Sequence, residues 1–131
     1  MPDNGPIPAL SPDWGEGRYF DLWMLVHLIS GVAGGFSSVF FRLTTLGVIA
    51  VAAIVMLLWE VGEYALGVRE SWSNRALDIA VGLLGVFAAL QVAAEWDRDR
   101  RLIAFWGCFA LAAGLGVLGG LAYRRRQQSE A

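Results

Sequence analysis

The sequence lacks several residues on which common enzyme and scaffold chemistries depend. Its 131 residues contain one cysteine (Cys108), one histidine and no lysine, and its four prolines all lie before residue 13. A lone cysteine excludes a disulfide framework and a thiolate metal site within one chain. The net charge is −2 and no basic stripe lies outside the expected loops, which excludes nucleic-acid binding. No phosphate-cradling loop or zincin motif is present.

Apolar residues dominate the chain. They account for 56% of it, whereas soluble domains have about 45–50% even when glycine is counted. A helix needs about 20 apolar residues to cross about 30 Å of hydrocarbon, where its backbone groups must be satisfied internally. The sequence therefore predicts an all-α, polytopic membrane protein, a four-transmembrane-helix bundle at 20–123. An irregular tail is expected at 1–19, spans at 20–41, 43–66, 76–94 and 102–123, and a basic, polar tail at 124–131.

Small residues predict close packing between helices. Gly31 with Gly35, and Gly116 with Gly120, have the four-residue spacing that lets helix backbones approach one another. This spacing indicates contact within the bundle or in a homo-oligomer.

Arginines near the span ends indicate an orientation. Four spans put the N-terminal tail, the loop at 67–75 and the C-terminal tail on one side of the membrane with six arginines, and leave four on the other side. Because basic residues favour the cytoplasmic side, both termini are predicted to be cytoplasmic.

Ionisable side chains lie inside the first three spans. Besides Asp21 at the first boundary, they are His27, Glu60, Glu63 and Asp78. Each costs roughly 2.5–3.5 kcal/mol or more at mid-bilayer, so such residues usually face the bundle interior or water. His27 and Asp78 follow span starts and the two glutamates precede a span end, so the topology alone places the four in one leaflet, at headgroup depth.

Helical spacing puts several of these side chains on common faces. Glu60 and Glu63 are three residues apart and share a face. Three more residues lie three or four positions from a member of the group and are predicted to support it: Ser30 beside His27, Tyr64 beside Glu60, and Asn74 beside Asp78.

Three physical roles fit this polar cluster. An imidazole and carboxylates can hold a divalent metal ion, whose charge removes the cost of clustered acids. Glu60 and Glu63 can instead share a proton and act as an acid–base pair. In the third interpretation Arg69 or Arg75 folds back and neutralises the carboxylates in a purely structural network.

Three short motifs resemble a known family. They are His27 with Ser30-Gly31, Trp59-Glu60-x-x-Glu63, and Asn74-x-x-x-Asp78-x-x-x-Gly82. Over residues 19–95 the chain resembles the VanZ-like group of small bacterial inner-membrane proteins, which includes related families of unknown function. The resemblance implies a multi-pass protein of the bacterial inner membrane with His27, Glu60, Glu63 and Asp78 as its polar centre. The group's namesake is associated with resistance to the glycopeptide antibiotic teicoplanin, which implies cell-envelope material as the substrate class.

Two functions of different classes follow from the sequence. In the first, membrane lipids surround the bundle, and the cluster binds a divalent metal or the head of a lipid-linked cell-envelope substrate. In the second, the chain is a non-catalytic accessory subunit of a larger membrane complex, which its short length and glycine-lined helices favour. Ion conduction is disfavoured because the opposite leaflet has few polar residues. No nucleophile–base dyad is apparent, so whether the protein is an enzyme is left open.

Overall fold

The part of the chain that the structure describes forms four α-helices. The structure, a computed structural model, describes residues 9–11, 14, 19–66, 68 and 70–129. The helices are α1 (Trp23–Phe36), α2 (Thr45–Ala65), α3 (Trp72–Ala93) and α4 (Arg98–Ser129), and a 3-10 turn at Ser37–Val39 extends α1. No strand occurs among the described residues, where Leu10 and Phe20 form an isolated bridge. The predicted all-α, four-helix membrane fold is confirmed.

The helix bounds differ from the predicted spans mainly at the ends. α2, α3 and α4 are long and apolar enough to cross a membrane, and Trp23–Val39 is a shorter apolar helix. α3 begins at Trp72 rather than at residue 76, so Arg75 is a helix residue and not part of a loop. α4 runs from Arg98 to Ser129 rather than over 102–123, because charged residues extend its apolar segment at both ends.

Polar side chains fix where the helices start. The hydroxyl of Thr44 accepts a hydrogen bond from the Gly47 amide at 3.1 Å, and that of Ser71 accepts one from the Asn74 amide at 3.1 Å. Such N-caps satisfy amides that lack a partner in the first turn and stabilise a helix by about 0.5–2 kcal/mol. The Ser71 cap decides the register at which Asn74 and the residues after it enter the bundle.

The centre of the bundle is a close contact between α1 and α3. A Cβ added to Gly31 would overlap the backbone oxygen of Gly82, and one added to Gly35 would lie 2.6 Å from the backbone oxygen of Val86. On α3, a Cβ added to Gly85 would overlap the backbone oxygen of Leu28 of α1. Only glycine permits this approach, so the prediction of close packing holds for Gly31 and Gly35.

The second glycine pair behaves differently. No atom of the described residues lies within 4 Å of a Cβ added to Gly116 or Gly120 of α4. Within the described chain this pair therefore makes no helix–helix contact, and a homo-oligomer interface there stays a prediction.

The remaining helices flank this centre. α2 packs mainly on α3, and α4 packs mainly on α1. At the end away from the N-terminal tail, Phe36 stacks on Trp96 at 5.5 Å between ring centroids, and Phe40 packs edge-on against Phe105 at 4.9 Å. The buried apolar core of the described chain is small and is formed largely by alanine and valine.

Large apolar side chains cover the outer faces of the bundle. Leu46 of α2 is 75% exposed and Ile103 of α4 is 74% exposed, among many similar residues. Soluble monomers rarely expose contiguous apolar patches of more than a few hundred Å², whereas a lipid-facing surface consists of them. The faces of α2 and α4 are therefore those of membrane-spanning helices.

The glycine contact generates a stability prediction. Gly31→Ala should lower the free energy of unfolding by about 1–3 kcal/mol, because the methyl group must displace the Gly82 backbone. Gly116→Ala should leave it unchanged or raise it by up to about 1 kcal/mol, because alanine has the higher helix propensity and space is open there. Thermal unfolding of both variants in detergent, followed by circular dichroism, measures the difference, and equal stabilities would contradict the contact.

Candidate metal centre

Three helices bring polar side chains together at one end of the bundle. His27 lies in the second turn of α1, Glu60 in the last two turns of α2, and Asp78 in the second turn of α3. Their relative exposures are 9%, 6% and 1%. One ligand atom from each lies within 4.8 Å of the other two, a spacing at which the three could hold a metal ion.

The His27 ring is oriented by its own helix. Its Nδ1 lies 3.0 Å from the backbone oxygen of Trp23, one turn earlier. A carbonyl oxygen only accepts hydrogen bonds, so Nδ1 carries a proton, and Nε2 is the ring nitrogen that could bind a metal ion or, if protonated, donate to the site. Nε2 lies 3.3 Å from Glu60 Oε1. A second hydrogen bond that fixes the tautomer in this way is typical of metal-binding histidines.

Two buried carboxylate oxygens face this ring without a hydrogen-bond donor of their own. They are Glu60 Oε1 and Asp78 Oδ1, and the latter lies 3.8 Å from His27 Nδ1. The other oxygen of Asp78 accepts a bond from Asn74 Nδ2 at 3.3 Å. A buried polar atom without a partner costs about 1–3 kcal/mol, and more if the group is charged.

Arg75 neutralises the opposite side of Glu60. Its guanidinium donates to the Glu60 backbone oxygen at 2.9 Å and to Glu60 Oε2 at 3.3 Å, and also to the Val68 oxygen at 3.1 Å. Glu70 Oε2 lies 3.7 Å from the same group, and the Tyr64 ring lies 5.8 Å from its central carbon. Arg75 thus forms the structural contacts that one interpretation of the sequence expected; Arg69 lies outside the described residues.

Asn74 connects three carboxylates from three parts of the chain. Its Nδ2 donates to Asp21 Oδ2 at 2.9 Å, to Asp78 Oδ2 and to Glu70 Oε1. Asp21 also caps α1, because its Oδ1 accepts the Trp23 amide at 3.0 Å. An amide group has only two hydrogens to share among these three acceptors, so the carboxylates need further positive charge or a proton.

The charge balance of this end of the bundle is acidic. Arg75 and the titratable His27 are the only cationic side chains that the structure shows in contact with the cluster, among the residues it describes. Burial raises the pKa of the Glu70 carboxyl, in the loop before α3, above its ordinary value. Raised pKa values are the usual response to clustered acids that lack counter-charge. The carboxylates of the cluster are Asp21, Glu60, Glu63, Glu70 and Asp78.

Two groups of three ligand atoms are close enough to hold an ion. The first is His27, Glu60 and Asp78, and the second is Glu60, Glu63 and Glu70. The guanidinium of Arg75 lies against two carboxylates of the second group, Glu60 and Glu70, but against only one of the first group, Glu60, through its Oε2. The first group is therefore the better cation site.

A pocket of about 140 Å³ adjoins the first group. Side chains from α1, α3 and the loop between α2 and α3 form its walls together with Glu63 of α2. The fourth helix also contributes, through Gly120 and Tyr123. The lining residues are Trp23, His27, Glu63, Val68, Glu70, Asp78, Gly120 and Tyr123.

The structure places the residues predicted from the sequence in three kinds of position: within the polar cluster, beside it, and on the exposed surface. His27, Glu60 and Asp78 come together, Glu63 lies with Glu60 and Glu70, and Asn74 is fully buried among the carboxylates. Tyr64 is 66% exposed and lies beside the cluster, against Arg75 and Trp72. Ser30 is exposed on α1, so it is not among the buried residues of the cluster.

Sequence reasoning missed two parts of this end of the bundle. Glu70 was assigned to the loop at 67–75, although Ser71 before a helical run is an N-cap signal, and a helix that starts there puts Glu70 one turn before Asn74. Gly120 and Tyr123 carry no charge that would have drawn attention to α4.

The geometry identifies a class of protein and a class of site. The apolar helices are those of a membrane protein, and His27, Glu60 and Asp78 form a group that could hold a metal ion. Comparison with known protein families, curated proteins and solved structures finds no match.

Removing the guanidinium tests the network. Arg75→Met should lower the free energy of unfolding by about 3–5 kcal/mol, because Glu60 and Glu70 lose a buried counter-charge. Arg100 is a matched control: it pairs with Asp97 at 3.3 Å, but its side chain is 67% exposed. Arg100→Met should cost less than about 1 kcal/mol. Denaturation in detergent measures both values, and similar losses would show that the Arg75 contacts are not structural.

Proposed function

We propose that this protein binds one divalent metal ion through His27, Glu60 and Asp78, at headgroup depth in a bacterial inner membrane. The observation that carries the proposal is the pair of buried oxygens, Glu60 Oε1 and Asp78 Oδ1, which face the imidazole without a donor. Each belongs to a carboxylate whose other oxygen is already hydrogen-bonded. A cation between the three groups would satisfy both oxygens at once.

Electrostatics supports a divalent ion over a proton alone. A metal of charge +2 balances both carboxylates of the group and leaves the imidazole neutral, which is the form that binds metals. A single proton would neutralise only one of the two carboxylates and would leave the charge of the other to Arg75, which Glu60 already shares with Glu70. At membrane depth an uncompensated charge costs at least about 2.5–3.5 kcal/mol.

The separation between His27 Nε2 and Glu60 Oε1 suits a first-row transition metal. A nitrogen and an oxygen that both bind a tetrahedral zinc ion at about 2.0–2.1 Å lie about 3.3 Å apart. His27 Nε2 and Glu60 Oε1 are separated by 3.3 Å. Calcium and magnesium prefer all-oxygen sites, whereas a mixed imidazole–carboxylate set favours zinc, manganese, iron or cobalt.

Arg75 complements the metal. It keeps Glu60 in place through Oε2 and the backbone oxygen, which leaves Oε1 free for the ion. It also supplies the positive charge for the second acidic group, where a second metal would meet a guanidinium. The structural network and the metal site are therefore two halves of one arrangement, and the expected stoichiometry is one ion per chain.

The family, the substrate class and the orientation in the membrane are also proposals. The VanZ-like resemblance rests on sequence motifs, and it favours the head of a lipid-linked cell-envelope substrate as the molecule that meets the ion. Cytoplasmic termini follow from the arginine distribution alone. An accessory role in a larger membrane complex is the competing prediction, and it requires no metal.

Metal content tests the proposal directly. Protein purified in mild detergent and equilibrated with zinc or manganese should contain about one ion per chain by elemental mass spectrometry. His27→Gln and Glu60→Gln should each weaken binding by more than tenfold, because each removes one of three ligands.

A surface acid controls for the loss of charge. Asp97→Asn changes an exposed carboxylate at the far end of the bundle and should leave the metal content unchanged. Wild-type protein that folds but retains no metal would refute the proposal and leave the proton-sharing or purely structural interpretation. Retention of metal by both ligand variants would refute the assigned residues.

A further inference from the structure

The pocket and the proposed metal group share two residues. His27 and Asp78 are members of the ligand group and also line the pocket of about 140 Å³. We propose that the bound metal keeps one exchangeable coordination position, which opens into this pocket and accepts an uncharged donor group rather than an anion. This inference rests on the proposed function and adds to it the direction and the chemical class of the ligand.

The number of protein ligands leaves a position open. Glu60 Oε2 accepts a hydrogen bond from Arg75, and Asp78 Oδ2 accepts one from Asn74. Each carboxylate therefore has one oxygen left for the metal, and His27 offers one nitrogen. Three protein atoms do not complete a tetrahedral shell, and zinc sites with three protein ligands hold water or substrate in the fourth position.

The pocket has room for more than a water molecule. A water molecule in liquid occupies about 30 Å³, several times less than this pocket. Trp23 of α1 and Tyr123 of α4 contribute aromatic surface to its walls, and Gly120 leaves part of the α4 side without a side chain. A small headgroup fragment or heterocycle can therefore reach the metal from this side.

The charge of the walls decides which ligands can enter. Glu63 and Glu70 line the pocket, and no cationic side chain other than His27 does so in the part of the chain that the structure describes. Arg75 is held against Glu60 and Glu70 and is not a lining residue. Like charges within a few ångströms repel strongly where the effective dielectric constant is low. An uncharged oxygen or nitrogen donor is therefore favoured over a phosphate or carboxylate.

Cobalt substitution makes the open position visible. Cobalt(II) is bound by the same ligand types as zinc, and its visible absorption changes when a ligand is exchanged. The probe is imidazole at pH about 8, where a ring of this type is mostly uncharged; azide is the anionic comparison. Cobalt content is measured separately by elemental mass spectrometry before and after each titration.

Two matched glycine variants locate the ligand path. Gly120 lines the pocket and Gly116 does not, yet both lie on α4 with no described atom within 4 Å of an added Cβ. Gly120→Val should fill part of the pocket and raise the imidazole concentration needed for the spectral change at least tenfold, with full cobalt content. Gly116→Val should behave like the wild type.

The outcomes separate this inference from the proposed function. Failure to bind cobalt refutes the metal site and this inference with it. Full cobalt content with no spectral response to imidazole refutes the open position alone. A response that is equal in Gly120→Val and wild type refutes the pocket as the path, and azide binding as tight as that of imidazole refutes the selectivity.

Reconstitution shows where the natural donor comes from. If a lipid headgroup is the donor, nanodiscs that contain a lipid with an uncharged hydroxyl headgroup should raise the imidazole concentration required several-fold over that in detergent, because the headgroup competes. If the donor is a soluble molecule, the two concentrations should agree. Either result requires the open position to exist.

Discussion

The arrangement of the bundle depends on the backbone contact at Gly82, where three helices meet. A Cβ on this residue would lie 2.6 Å from the Met56 side chain of α2 and 3.4 Å from the His27 backbone oxygen of α1. Asp78 lies one turn before Gly82 on α3, and Glu60 lies one turn after Met56 on α2. Gly82 and the facing Gly31 therefore let α1 and α3 approach closely enough for His27 and Asp78 to face one another in the candidate site.

The second constraint is an excess of buried negative charge. The protein compensates part of it with fixed groups: Arg75 serves Glu60 and Glu70, and Asn74 serves the carboxylates around the start of α3. Among the carboxylate oxygens, two that face His27 remain buried without a hydrogen-bond donor, Glu60 Oε1 and Asp78 Oδ1. This arrangement is expected if Arg75 and Asn74 orient the carboxylates and a bound metal supplies the remaining positive charge.

Part of the site could be predicted because helical spacing is a local property. The shared face of Glu60 and Glu63, the pairing of Asn74 with Asp78, and the common end of the bundle at which the cluster lies all follow from helical geometry and the order of the helices. Glu70 was missed because hydrophobicity placed the start of α3 after Arg75, whereas the Ser71 hydroxyl sets it at Trp72. Hydrophobicity indicates which residues can lie in the hydrocarbon layer. A helix that begins at an N-cap outside that layer is longer than its apolar segment.

The sequence by itself determined the fold class, the number of helices and the end of the bundle at which the polar residues gather. These depend on apolar run lengths and on the alternation of direction between successive spans, which any chain in lipid must obey. Only the tertiary structure decided that Arg75 faces Glu60, that Ser30 is exposed, and that Tyr123 reaches the pocket. Helix rotation and pairing depend on contacts between residues distant in sequence, above all the glycines of α1 and α3, and no local pattern specifies which glycine meets which helix.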